Sequence, residues 1–256
     1  MAEHELFLRM YQGIITIDNL KKNMKSSLLL ALTLATAMSL NAADSKPDLE
    51  KAIKELSGKA NYSWKSTVTA PEGTRFRMGP TEGQADKDGL ARVSMTMGDN
   101  KMEMVVQGKN AAVLTQDGEW KSAEELSTSE GRGQFAGMMA RNFKPPTTQA
   151  ADLVGFTKEL KLEGGVYSGD LTEDGAKQLL TFRRGAGTDG PTVTGPKGIA
   201  KFWVKDGVLS KYEFHVEGKV SFNGNDRDVN RTTTIEIKDV GTTKVQVPED
   251  ARKKLS

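Results

Sequence analysis

Strict alternation near the C-terminal end constrains this chain more than any other feature. Tyr212, Phe214, Val216, Val220 and Phe222 alternate with Lys211, Glu213, His215, Glu217, Lys219 and Ser221. A period of two sustained over that length suits an extended strand with one apolar and one wet face. Asn223-Gly224-Asn225 then turns the chain back, and Thr232–Lys238 returns with Ile235 and Ile237 on one side.

Similar signals recur upstream. Tyr62, Trp64, Val68 and Ala70 alternate with Ser63, Lys65, Thr67 and Thr69. Ala91, Val93, Met95 and Met97 share one side of Leu90–Met97, and Lys101–Gln107 follows a polar turn at Gly98-Asp99-Asn100. Shorter strands are expected at Ala111–Thr115, Thr157–Leu162 and Val166–Leu171, with the run to Trp120 read as loop. Between them the period changes. Leu49, Ile53 and Leu56 mark a short helix over Asp48–Leu56 that ends at Gly58. Glu130–Phe143 carries Phe135, Met138, Met139 and Phe143 and stops at Pro145-Pro146. Further helices are expected over Thr148–Val154 and, capped by Thr172, over Thr172–Leu180. Arg183–Lys197, rich in Gly and Pro, reads as a loop, and the end from Pro248 as a short polar helix or frayed tail. Meandering strands with a few helical interruptions predict one antiparallel α+β domain. Because the strands are wet on one side, the helices must cover the other.

The beginning of the chain has a different character. Lys21, Lys22 and Lys25 precede an apolar run from Ser26 to Met38, and small residues at Ser39–Ala43 lead into charged Asp44-Ser45-Lys46. These are the three parts of a secretory leader, too short in its apolar run to span a bilayer. Met24 is the natural start, since Glu3, Glu5 and Asp18 do not suit such a leader. The expected division is therefore residues 1–43, extension and leader, and residues 44–256, a single domain. The expected location is the periplasm or the medium, with no integral membrane segment in the mature chain.

Composition narrows the chemistry. Lys and Arg number 36 against 34 Asp and Glu, so no basic excess points to nucleic acid. With no cysteine there is no disulfide, thiolate metal site or lipidated residue. His215 is the single histidine after the leader, which leaves no base–nucleophile pair and no metal set. The expectation is no enzyme, no cofactor and no metal. Gly185-Ala186-Gly187-Thr188-Asp189-Gly190 matches a dinucleotide fingerprint but lacks the preceding strand and following helix. Asp226-Arg227-Asp228-Val229-Asn230 opens like a calcium loop, yet Arg231 and Ile237 stand where glycine and a bidentate glutamate belong.

The methionines are a better lead. A two-residue loop at Asp99-Asn100 sets Met97 opposite Met102 and Met95 opposite Met104, four thioethers in one patch. Such a patch is either core filling, a pliable wall that repacks around a ligand, or a soft Cu(I) site. As a ligand wall it would join Tyr62 and Trp64 of the first strand with Phe135, Met138 and Met139 of the helical cover.

Lys201–Phe214, with Asp206-Gly207 at its turn, Thr232–Gly241 and the Val247-Pro248 ending resemble the LolA/LppX-like superfamily of envelope carriers. The Tyr62–Ala70 strand after a short helix is similar too. The resemblance covers most of residues 44–256. It implies a strongly curved antiparallel half-barrel, helices across its concave face, and transport of lipids or acyl chains without catalysis. The expected partner is thus a hydrophobic small molecule or acyl chain, with envelope proteins as further candidates. A non-catalytic envelope module with a filled core remains the alternative.

Overall fold

The computed structural model describes residues 45–72, 78–98, 100–181 and 190–255. The leader and Gly185–Asp189 lie outside the described residues, as does the side chain of Met97. Eleven strands form one antiparallel sheet in the order β6-β5-β4-β3-β2-β1-β11-β10-β9-β8-β7. They are β1 (Asn61–Thr69), β2 (Met78–Asp86), β3 (Leu90–Met97), β4 (Asn100–Gln107), β5 (Asn110–Leu114), β6 (Trp120–Ser122), β7 (Lys161–Glu163), β8 (Val166–Asp170), β9 (Thr192–Lys205), β10 (Val208–Phe222) and β11 (Asn225–Lys238). The helices described are α1 (Lys46–Ser57), α2 (Ala123–Ser127), α3 (Arg132–Arg141), α4 (Pro146–Phe156), α5 (Glu173–Leu180) and α6 (Glu249–Lys253).

Neighbouring strands are joined mainly by tight turns, and the β1–β11 pairing closes the centre of the meander. Asn223 and Gly224 form the two-residue loop of the long hairpin, both with left-handed backbone (φ 50° and 74°). That is the geometry Asn-Gly adopts most readily, and it suits the twist of the flanking strands. Period two then places residues on faces. One inner row runs Val113, Met104, Val93, Gly83, Trp64, Ile237 across six strands. The next runs Met102, Met95, Thr81, Ser66, Ile235, Tyr212, Phe202, Tyr167. Apolar residues from β5 at one end to β8 at the other belong to a single buried cluster. An open sheet of that width curls under its own twist, so it wraps its helices as a half-barrel.

Helices cover the inner face in separate pieces. α1 packs on β10 and α4, α3 on β4 and β5, and α5 on β9 and β10. Their caps match their sequences. The Thr172 hydroxyl accepts from the Gly175 N–H, and Ser122 with Glu125 forms a reciprocal capping box at α2. Pro145 and Pro146 end one helix and begin the next: Pro146 is the first residue of α4, where its missing N–H costs no hydrogen bond.

A second, smaller cluster lies on the outer face, where Leu90, Val105 and Ala112 meet Ala251 and Leu255. The chain end is therefore a packed helix and not a frayed tail. The Asn110 side chain donates to the Leu255 carbonyl, and Lys254 pairs with Glu125 at 2.7 Å.

Three expectations need correction. The loop over Arg183–Lys197 gives way to strand from Thr192. Gly195 (φ 62°) and Pro196 fall at a break in the ladder between Thr194 and Lys197, where a left-handed residue and a missing donor are tolerated. Trp120 opens the edge strand β6 instead of a loop, pairing with Leu114. Thr157–Leu162 is no continuous strand: Thr157 makes an isolated bridge to Leu171, and β7 begins at Lys161. The calcium-like residues Asp226–Asn230 lie within β11, paired with Glu217–Ser221.

Candidate functional site

The sequence-expected ligand wall lies at the centre of the inner face. Trp64 reaches across β2 at Gly83, where a Cβ would stand 2.1 Å from the indole Cζ2. Glycine is thus required there for the ring to lie flat on the neighbouring strand. Phe143, just beyond α3, stacks on the indole with ring centroids 6.2 Å apart. Tyr62 sits 5.9 Å from Trp64, tilted by 49°.

The methionines fall on this face in a different register from the expected one. Met97 pairs with Asn100, Met95 with Met102, and Met104 with Val93. Gly98 takes a left-handed backbone (φ 58°), which glycine adopts at the first loop position at no steric cost. The square of four thioethers is therefore replaced by a facing pair, Met95 and Met102, beside Met104. All three are buried, Met104 completely, and Met139 joins them from α3.

The remaining expected residues spread outward. Met138 is half-buried, and Phe135 is 36% exposed on α3. Gly137 holds α3 close to α2: a Cβ there would meet the Leu126 Cβ at 2.9 Å.

Two phenols add a polar element to the core. The Tyr212 hydroxyl donates to the Gln149 side chain at 2.7 Å, and Tyr62 bonds to Thr147. Both partners lie in the first turn of α4, so the tyrosines tie that helix to the sheet. Burial pushes the Tyr212 phenol well above its ordinary range, helped by nearby Tyr62. Burial likewise raises Tyr62, against the hydrogen bonds to Thr147. Both stay neutral at physiological pH. His215 lies on the opposite, outer face, its Nδ1 3.1 Å from the Thr232 hydroxyl and its Nε2 3.8 Å from Glu217. It shares no surface with the aromatic and thioether cluster.

Sequence reading missed the partnership of Phe143 with Trp64, the Gln149 contact, and the inward placement of Arg231. Arg231 was within reach of the pattern, because it lies two and four residues before Thr233 and Ile235 and so shares their face.

The chain resembles two solved structures. One is the Mycobacterium tuberculosis lipoprotein LppX, at 14% identity and a TM-score of 0.42, covering 78% of this chain and 97% of that one. The other is LprF from Mycobacterium bovis, at 12% identity and a TM-score of 0.45, covering 81% and 97%. No family model and no curated protein matches the chain.

Proposed function

We propose that this chain is a soluble, exported binding protein that holds a hydrophobic ligand, a lipid or an acyl chain, between its sheet and its helical cover. It binds and does not catalyse. The observation that supports this most is the make-up of the β3–β4 side. Met95, Met102 and Met104 meet a cover helix whose rim residues, Met138 and Phe135, are progressively exposed. Thioether side chains repack at little cost, so a wall made of them can admit an acyl chain where branched residues would resist. Burial of the chain at about 25 cal/mol per Å² of apolar area supplies the affinity. Export rests on the leader, and no described helix is long and apolar enough to cross a membrane.

A filled-core envelope module is the second reading. It is favoured by the complete burial of Met104 and by Trp64 pressed between Gly83 and Phe143. Met102→Glu separates the two. In a carrier the carboxylate meets ligand space, so binding of a dansylated fatty acid falls at least about tenfold while the melting curve survives. In a module the wild type binds no probe and the substitution unfolds the chain, because a buried lone charge costs several kcal/mol. The export reading expects the mature mass to begin at Ala43 or Asp44; retention of residues 24–42 would count against it.

A further inference from the structure

Arg231 is a charge on the inner face of the long hairpin, partly buried where Arg227, two inner positions further out on the same strand, is exposed. It pairs with Val216 and shares the inner face with Thr233 and Ile235. Charges on the outer face have partners across the ladder, as in Lys197–Glu217 and Lys65–Glu82. Arg231 appears in none of the ion pairs among the described residues. Its one hydrogen-bond acceptor there is the Leu179 carbonyl, in the last turn of α5.

A guanidinium carries five N–H donors in a planar fork shaped for two oxygens of one acid group. One carbonyl uses a fraction of that capacity, and the negative end of α5 offsets the charge only in part. Burial accordingly works against the charge and lowers the pKa of Arg231. Phe214 and Thr233 lie one step toward the centre; outward lie half-buried Val229 and Val220 and then the exposed Arg227, which pairs with Val220. Gly218, opposite Val229, is crowded by Leu180, where a Cβ would fall 2.9 Å from Cδ1.

We propose that Arg231 receives the acidic head of the ligand, so that the chain selects anionic amphiphiles, with a carboxylate or phosphate head on an aliphatic tail, over neutral lipids. This rests on the binding reading and adds the class of ligand to it. The fork accepts the two oxygens of the head while the tail runs toward the centre of the inner face, past Phe214 and Ile235. The Leu179 carbonyl holds the guanidinium in place before the ligand arrives.

The test titrates the full mature chain with cis-parinaric acid and with its methyl ester at neutral pH, followed by probe fluorescence. Wild type should bind the acid at least about tenfold more tightly than the ester, the scale of one charge-assisted bidentate contact. Arg231→Met should lose that preference and keep its affinity for the ester, and Arg231→Lys should retain part of it. Should Arg231→Met fail to fold, the acid-to-ester ratio of wild type and of Arg231→Lys decides. Equal affinity of wild type for acid and ester overturns the proposal and leaves the binding reading intact. So does an unchanged preference in Arg231→Met. Binding of neither probe to wild type overturns both. Inorganic phosphate at millimolar concentration serves as the competing source of the same chemistry. It should not displace the acid. If it raises the melting temperature of wild type but not of Arg231→Met, while no acyl probe binds, the site is one for free anions and the proposal fails.

Discussion

In the β8–β11 half of the sheet, Phe202 and Tyr212 stack with centroids 6.3 Å apart, and the Tyr212 hydroxyl is fixed to Gln149. In the β2–β5 half, the same inner face is built of Met95, Met102 and Met104 beside Gly83. One half uses stiff rings, a buried hydrogen bond and strands of 14 and 15 residues. The other uses flexible thioethers, a missing side chain and strands of at most 9 residues. Both halves bury their faces in one continuous cluster, so the difference is in compliance and not in burial. A sheet built this way has a rigid frame on one side and an adaptable wall on the other.

The contrast can be broken by substitution. Phe202→Ala should have the largest effect, destabilising by about 3–5 kcal/mol because stiff neighbours cannot collapse into the space. A smaller loss, read as the midpoint of denaturant unfolding, would mean that the frame is less rigid than its stacking implies. Gly83→Ala should follow. The added methyl displaces the Trp64 indole, at a cost of about 1–3 kcal/mol, with a shift in tryptophan emission as its marker. An unchanged spectrum would place the ring elsewhere. Met104→Leu should cost less than about 1.5 kcal/mol despite complete burial, and a larger penalty would remove the claim of compliance.

The smallest effect concerns the join between α2 and the C-terminal segment. Lys254 and then the Ser122 N–H hold the Glu125 carboxyl down at about 2, from an ordinary 4.5. A carboxyl lowered on folding stabilises the fold above its unfolded value, and that contribution is lost as pH falls from about 4.5 toward about 2. Because the group is exposed, the change should be slight. Glu125→Gln should flatten the melting temperature across that window, and an unaltered profile would show that the pair contributes nothing.

Much of this architecture was legible in the residues because period two survives wherever one face is wet. The patterns over Tyr62–Val68, Ala91–Met95 and Lys211–Val220 all assign inner and outer faces correctly. β2 left no such trace. Its inner positions are Thr81, Gly83 and Ala85, and the apolar bulk over Gly83 comes from Trp64 on the next strand. A strand whose contribution is space cannot be read from its own hydrophobicity. The methionine register failed for a local reason: pairing Met97 with Asn100 instead of Met102 moves every cross-strand partner by two residues. The pairing of Phe143 with Trp64 was hidden because contacts between a loop aromatic and a strand follow no spacing.

The sheet also tapers. Its longest strands, β9 to β11, lie inside it, while β6 and β7 at the two open edges have three residues each. A half-barrel cannot close its ladder on itself, so both margins present unpaired amides and carbonyls to any passing extended chain. Here each margin offers only a three-residue template, with Lys121 on one and Lys161 and Glu163 on the other. Accretion of a further strand would gain few hydrogen bonds and would set charges against its own side chains. The fold can thus leave its sheet open without inviting edge-to-edge aggregation.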